Sequence, residues 1–222
     1  MRWWLPLAAL LLGGAGEAPP LPPSLPPGVA AFGALAADEA PALLLARLGW
    51  LLPGRYEHDG GAGGGWRLTT IITPVEVPAL GGRLYHVEEY RDGEPARLTR
   101  VRLYRLSVEA GGPVVHVLNP RDMAAARDAG AAARLGMADI EPDRPACALR
   151  VTGFGARMVA RMASRACRVG GQWVDYEMLL DADMLVTCHA RRALADDRLT
   201  WLQMPPSPCI RQQRTSPLAP DF

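Results

Sequence analysis

Residues 82–107 read GRLYHVEEYRDGEPARLTRVRLYRLS, which is two strand-like segments joined by a turn. Asp92-Gly93 between two alternating runs is a strong short-range signal for a β-hairpin, and Pro95 lengthens its loop beyond the tight two-residue kind. Alternation places Leu84, His86, Glu88 and Tyr90 on one face of the first strand, and Tyr85, Val87 and Glu89 on the other face. On the second strand, one face carries Leu98, Arg100, Arg102, Tyr104 and Leu106, and the other face carries Arg97, Thr99, Val101, Leu103 and Arg105. A hairpin so rich in Arg, Glu, His and Tyr is expected either to be exposed to solvent on the surface or to line a polar cavity.

Composition narrows the classes of protein to consider. The chain has 222 residues, which suits one domain with a full core or two small domains. Its formal net charge of +1 gives no argument for binding nucleic acid. All 24 basic residues are arginine, which excludes chemistry that depends on lysine, such as a Schiff base or a phosphate-loop lysine. No zinc, hydrolase or nucleotide-binding motif is present, so neither a metal site nor a resident cofactor is predicted.

The N-terminus has the layout of a secretory signal peptide over residues 1–18. One positive charge precedes an apolar stretch from Trp3 to Leu12, and small residues follow it. An uncleaved N-terminal anchor is the alternative. Residues 19–37 are rich in Pro and Ala and predict an extended linker. The prediction is therefore a secreted or periplasmic protein with no transmembrane segment after cleavage.

Export favours disulfides for the four cysteines, because an even count in an oxidising compartment is typical of bridges. We favour the pairs Cys147–Cys167 and Cys188–Cys209. Each would close a segment of about 20 residues and stabilise the fold by on the order of 3 kcal/mol. The alternative is one bonded pair and two buried free thiols.

The rest of the chain predicts a mainly β fold. A helix is expected from Asp38 to Pro53, and a second one from Asn119-Pro120 to about Leu135. Many period-two segments with short links predict a single antiparallel β-barrel over residues 38–210, followed by a flexible tail at 211–222. An open antiparallel sheet curled around the helices is the alternative.

Several short motifs resemble the CpcT/CpeT family of chromophore (phycobilin) lyases. The run LGWLLPGRY at residues 48–56 resembles the family's "WL-x-G-x-Y" element, and YHVEE at 85–89 resembles its "LYVEQ" strand. PARLTRV at 95–101 resembles "PYRQRV", and Ala146-Cys147 stands where the family has "GC". Glu89 and Ala96 depart from the family's Gln and Tyr. The resemblance extends from about residue 42 to about residue 203.

The resemblance implies a calycin- or lipocalin-like barrel, often a homodimer, that attaches an open-chain tetrapyrrole to a cysteine of an acceptor protein. It implies Glu88 as the catalytic residue, which would accept pyrrole N–H bonds or move a proton. The ligand-binding residues would be Tyr56, Tyr85, His86, Arg100, Arg102 and Tyr104, with the arginines pairing the propionates and the tyrosines stacking on the rings. On a wet exterior, the same Arg and Glu side chains would form only weak cross-strand ion pairs.

Two functional hypotheses follow. The first is an exported chromophore lyase-like barrel that binds a tetrapyrrole-like or other amphipathic ligand. The second is a non-enzymatic periplasmic ligand carrier, or an envelope structural protein, on the same barrel. An open polar interior would favour ligand binding, and a filled apolar interior would leave a structural role.

Overall fold

A computed structural model describes residues 40–60, 66–92, 94–203 and 209–216. The predicted signal peptide and linker lie outside these residues. The helices are α1 (Pro41–Leu51) and α2 (Ala129–Ala132). The strands are β1 (Gly54–His58), β2 (Leu68–Val77), β3 (Gly82–Arg91), β4 (Leu98–Glu109), β5 (Gly112–Leu118), β6 (Leu149–Phe154), β7 (Arg157–Met162), β8 (Cys167–Val169), β9 (Gln172–Leu180), β10 (Met184–Ala193), β11 (Leu199–Leu202) and β12 (Cys209–Ser216).

Ten of the twelve strands form a closed antiparallel barrel. Going round it, the order is β12, β1, β2, β3, β4, β5, β6, β7, β9 and β10, and β10 then pairs with β12. The two remaining strands are short. β8 pairs with β9 beyond the end of β7, and β11 pairs with β10 beyond the end of β12. The predicted single antiparallel barrel is confirmed, and the alternative of an open sheet is wrong. Closure leaves no barrel strand with an unpaired edge.

The hairpin β3–β4 sets which side chains face the interior. Tyr85 lies opposite Tyr104, and Glu89 lies opposite Arg100, so these four residues share the inner face. A bulge between Glu89 and Tyr90 shifts the register near the turn. Odd-numbered residues of β3 therefore point inward together with even-numbered residues of β4.

Helix α1 closes one end of the barrel. Pro41 begins it, where a missing N–H is harmless, and Leu44, Leu48 and Leu51 are buried against the inner face. Gly49 allows the helix to approach the Tyr85 ring closely, because a Cβ at this position would meet the Tyr85 hydroxyl. This end of the interior is filled with apolar side chains.

The mid-chain helix predicted from residue 119 to about 135 is much shorter than expected. Residues 124–126 form a 3-10 turn, and α2 has four residues. The Asp122 carboxylate accepts the N–H of Ala124 at 2.8 Å, which favours a turn. Asp128 is extended, with φ −143° and ψ 164°, and its carboxylate accepts the N–H of Ala131, so a new helix begins there. Two short helical turns, each begun by an aspartate side chain, thus take the place of one continuous helix.

This mid-chain segment covers part of the outer face of the barrel. Ala126, Ala132 and Leu135 pack against Leu84 and Leu103 in a second apolar cluster, distinct from the interior. The outward face of the β3–β4 hairpin is therefore buried as well. Within the described residues, no helix is long and apolar enough to cross a membrane.

Both predicted disulfides are present, Cys147–Cys167 and Cys188–Cys209, so the alternative with two free thiols is wrong. Two bridges suit an oxidising compartment. The barrel does not end at residue 210, however. Strand β12 runs to Ser216, pairs with β10 and β1, and buries Ile210 and Gln212. The prolines from Pro205 onward predicted the flexible tail at 211–222, but residues 211–216 belong to β12, whose partners β1 and β10 cannot be read from the local sequence. Residues 217–222 lie outside the described part of the chain.

Candidate functional site

The end of the barrel opposite α1 has a polar interior. Two neighbouring cavities of about 630 Å³ and about 430 Å³ are found there, and Thr99 and Arg100 line both. The charged, aromatic and imidazole side chains that line these cavities are Trp66, Glu89, Arg91, Arg100, Arg102, Glu141, Arg144, Tyr176, His189, Arg191 and Trp201. The barrel interior is thus apolar at the helix end and polar at the other end.

Glu89 and Arg100 form the ion pair of this site. Arg100 Nη1 donates to Glu89 Oε2 at 2.8 Å, and Glu89 is only 5% exposed. Because opposite residues of β3 and β4 supply the two groups, the sheet itself holds the pair in place. Arg100 is therefore partly neutralised before any ligand binds.

Arg102, Tyr104 and Tyr176 form a second group deeper in the interior. The Arg102 guanidinium lies 5.0 Å from the centre of the Tyr176 ring, and the Tyr104 and Tyr176 hydroxyls are 3.1 Å apart. Burial, followed by the neighbouring Tyr104, raises the pKa of Tyr176 well above its ordinary value. Tyr176 therefore stays a neutral phenol that can donate a hydrogen bond.

His189 is 3% exposed and is held between two aromatic rings. Its ring centre lies 5.7 Å from that of Tyr176 and 4.7 Å from that of Trp201, both in edge-on geometry. Burial, and then the charges of Arg102, Arg100 and Arg191, lower the pKa of His189 to about 3. The imidazole is consequently neutral at physiological pH.

Two guanidinium groups that line the smaller cavity have buried donors without a partner. Among the described residues, Arg102 Nη1 and Arg191 Nε are buried and have no hydrogen-bond partner. Buried polar groups are normally paired, so unpaired cationic donors beside a cavity indicate a site for an acceptor that is not part of the chain. The two cavities are lined by two carboxylates, Glu89 and Glu141, and by five arginines, Arg91, Arg100, Arg102, Arg144 and Arg191. The charges of the lining therefore favour an anion.

The larger cavity has an aromatic and apolar rim. Trp66, Leu199, Trp201 and Leu202 line it together with Arg91, whose guanidinium lies 5.6 Å from the Trp66 ring centre. The site therefore combines flat apolar surfaces at its mouth with cationic donors inside.

The structure brings together only some of the predicted site residues. Arg100, Arg102 and Tyr104 share the polar interior. Tyr56 and Tyr85 face the interior too, but at the helix end: the Tyr56 hydroxyl donates to Leu51 O at 2.8 Å, and Tyr85 contacts α1.

Glu88 and His86 lie on the opposite, outward face, so the expected convergence of Glu88 with Arg100 does not occur. Tyr90 donates to Glu88 Oε1 at 2.9 Å, and burial raises the pKa of Glu88. His86 Nε2 lies 2.7 Å from Ala126 O, and burial lowers its pKa. In the pairing of β3 with β4, the residue opposite Arg100 is Glu89 and not Glu88.

Sequence reasoning missed Glu89, Tyr176, His189, Arg191 and Trp201 as members of one site. Alternation does place Val174, Tyr176 and Met178 on one face of β9, but this pattern says nothing of the strand that lies opposite. Across the described residues, no group of three or more His, Cys, Asp or Glu side chains is placed to hold a metal ion.

Comparison with known proteins gives a similarity of fold. No family model and no curated protein matches the sequence. The CRL protein of Arabidopsis matches with a TM-score of 0.57 at 10% identity, over 80% of this chain and 96% of that one. The T-type phycobiliprotein lyase CpeT from Prochlorococcus phage P-HM1 matches with a TM-score of 0.47 at 10% identity, over 77% of this chain and 96% of that one. At such identities, the chain shares the fold of the CRL protein, and function has to be argued from the site.

Proposed function

We propose that this protein binds an amphipathic, carboxylate-bearing ligand of the tetrapyrrole type in the polar end of its barrel. The observation that supports this most is the pair of buried donors without partners, Arg102 Nη1 and Arg191 Nε, inside a cavity lined by Tyr176. A carboxylate supplies the missing acceptor, and guanidinium–carboxylate bonds are among the strong ones.

The rest of the site suits the body of such a ligand. The cavity of about 630 Å³ lies in the usual range for small-molecule sites, roughly 300–1,000 Å³. Trp66 and Trp201 offer flat faces for conjugated rings at its rim. Glu89 is the carboxylate nearest to Arg100 and would accept ring N–H groups, the role that the sequence had suggested for Glu88.

In its enzymatic form, the proposal is a chromophore lyase-like reaction, in which the bound ligand passes to a cysteine of an acceptor protein. All four cysteines of this chain are in disulfides, so the thiol would come from the acceptor. A non-enzymatic carrier in a secreted or periplasmic setting is the second candidate, and it is favoured by the same two bridges. A homodimer remains part of the proposal for either role.

A titration with biliverdin tests the binding step. We expect a shifted visible absorption band with the wild-type chain, and about tenfold weaker binding in Arg102→Gln and in Arg191→Gln. Arg168→Gln is the matched control, because this exposed arginine also lies over an aromatic ring, Trp173, but away from the cavity. Equal losses in all three variants, or no band shift in the wild type, would contradict the proposed site.

The enzymatic step needs a separate measurement. The biliverdin complex is incubated with an apo-phycobiliprotein, and the mixture is then denatured in acid. Colour that stays on the acceptor supports a lyase, whereas colour that is released completely supports a carrier.

A further inference from the structure

His189 differs from the other histidines of the chain in its hydrogen bonding. All four histidines lie in the described part of the chain. His86 Nε2 lies 2.7 Å from Ala126 O, His116 Nε2 lies 2.8 Å from Glu109 Oε1, and His58 Nδ1 lies 3.1 Å from Arg211 O. Both ring nitrogens of His189, in contrast, are buried and have no partner among the described residues. The structure therefore leaves a buried imidazole with a lone pair that nothing uses.

The position of this imidazole points to the ligand cavity. His189 lines the cavity of about 430 Å³, opposite Tyr176 in the β9–β10 register and two residues from Arg191 on the same strand face. The edge-on contacts with Tyr176 and Trp201 restrict the orientation of the ring. A ring that is held in this way loses little freedom when it binds a partner.

The surrounding charges decide what kind of partner fits. Burial, and then the guanidinium groups of Arg102, Arg100 and Arg191, lower the pKa of His189 and keep the ring neutral. A neutral imidazole is the commonest metal ligand in proteins. A bare divalent cation is repelled by three arginines, however, whereas a metal held within a macrocycle arrives with carboxylates that pair with those same arginines.

We propose that His189 is an axial ligand for the metal of a metallated tetrapyrrole, such as an iron porphyrin, bound in this cavity. This rests on the proposed function and narrows its ligand class. The imidazole nitrogen donates its lone pair to the open axial position of the metal. No proton has to leave and no electron is transferred, since the imidazole is already neutral.

A matched pair of probes tests the role of the metal. The full chain is titrated with hemin and with metal-free protoporphyrin IX, and the Soret band is recorded for the wild type, His189→Ala and the control His116→Ala. His116 is a suitable control because it lies on the outer face and is bonded to Glu109.

We expect hemin to bind the wild type and His116→Ala with a Soret band typical of axial coordination. His189→Ala should weaken the binding of hemin by about tenfold more than it weakens the binding of metal-free protoporphyrin. Added imidazole should restore the coordinated spectrum in His189→Ala. If that variant does not fold, His189→Phe keeps the volume of the side chain and removes the nitrogen.

The outcomes separate this inference from the proposed function. Equal binding of hemin and metal-free protoporphyrin by the wild type, or an unchanged hemin spectrum in His189→Ala, would overturn the inference and leave the binding site in place. Failure of both porphyrins and of biliverdin to bind the wild type would overturn the proposed function as well.

Discussion

The hydroxyl of Tyr56 offers a sharp test of the division between the two ends of the barrel. Tyr56 is 0% exposed, and its hydroxyl donates to Leu51 O at 2.8 Å and lies 3.2 Å from Leu52 O. Arg214 Nη2 donates to the same hydroxyl at 2.5 Å. The last carbonyl groups of a helix have no partner within the helix, so this hydroxyl caps the C-terminal end of α1.

We expect Tyr56→Phe to lower the free energy of unfolding by about 2 kcal/mol, because a buried carbonyl that loses its donor costs roughly 1–3 kcal/mol. Arg214 also donates to Leu51 O, which keeps the loss from being larger. For a chain of this size, the midpoint of thermal unfolding should fall by about 4–8 °C. Urea unfolding followed by circular dichroism measures the change, with an unaltered m-value as the sign that only stability has changed.

The same variant should bind biliverdin with unchanged affinity, within about twofold, because Tyr56 lies at the helix end, away from Arg102 and Arg191. A stability loss below about 0.5 kcal/mol would refute the capping role. A large loss of ligand affinity in a stably folded variant would return Tyr56 to the ligand site, where the sequence resemblance put it.

Three further predictions concern stability. Burial raises the pKa of Glu88, so the unfolded chain releases this proton first as the pH rises, and the folded state bears the cost of ionisation. Relative to Glu88→Gln, the wild type should therefore lose stability as the pH rises above the ordinary carboxyl pKa of 4.5, and parallel urea midpoints would contradict this. Replacing both Cys188 and Cys209 by Ser should cost about 3 kcal/mol, as measured by urea unfolding, because their bridge closes a segment with a sequence separation of 21; a change under about 1 kcal/mol would speak against it. On α1, Leu48→Ala should cost about 2–5 kcal/mol, and exposed Leu43→Ala less than about 0.5 kcal/mol, in the same assay; equal costs would exclude the packing of α1 as described.

The predictable part of the fold is the part with local signals. Asp92-Gly93 and the alternation on both sides predict the β3–β4 hairpin, and Pro53-Gly54 ends the first helix. The cysteine pairs were favoured because an even count with an expected export suits bridges and because their spacing is short. The mid-chain helix was predicted too long, since helical composition in an alanine-rich run does not reveal that Asp122 and Asp128 cap separate turns.

The site was less predictable, because alternation tells which residues of one strand share a face but not which faces meet. Alternation in the sequence places Glu88 on the same face as His86 and Tyr90. The pairing of β3 with β4 is needed to see that Glu89 lies opposite Arg100. His189, Arg191 and Trp201 come from strands far along the chain and reach the hairpin only through closure of the barrel.

Local signals in the sequence predict the class of fold and the hairpin at residues 82–107, favour the two disulfide pairs that are present, and supply arginines able to bind a carboxylate. These features depend on local periodicity, turn chemistry and residue type, which are read within a few neighbouring positions. The folded chain is needed to see that odd-numbered residues of β3 and even-numbered residues of β4 face the interior and that β12 closes the barrel. It is also needed to see that a neutral His189 lies among three arginines. Those features arise from pairing and burial between residues distant in sequence, and no local pattern encodes which distant strand a given face will meet.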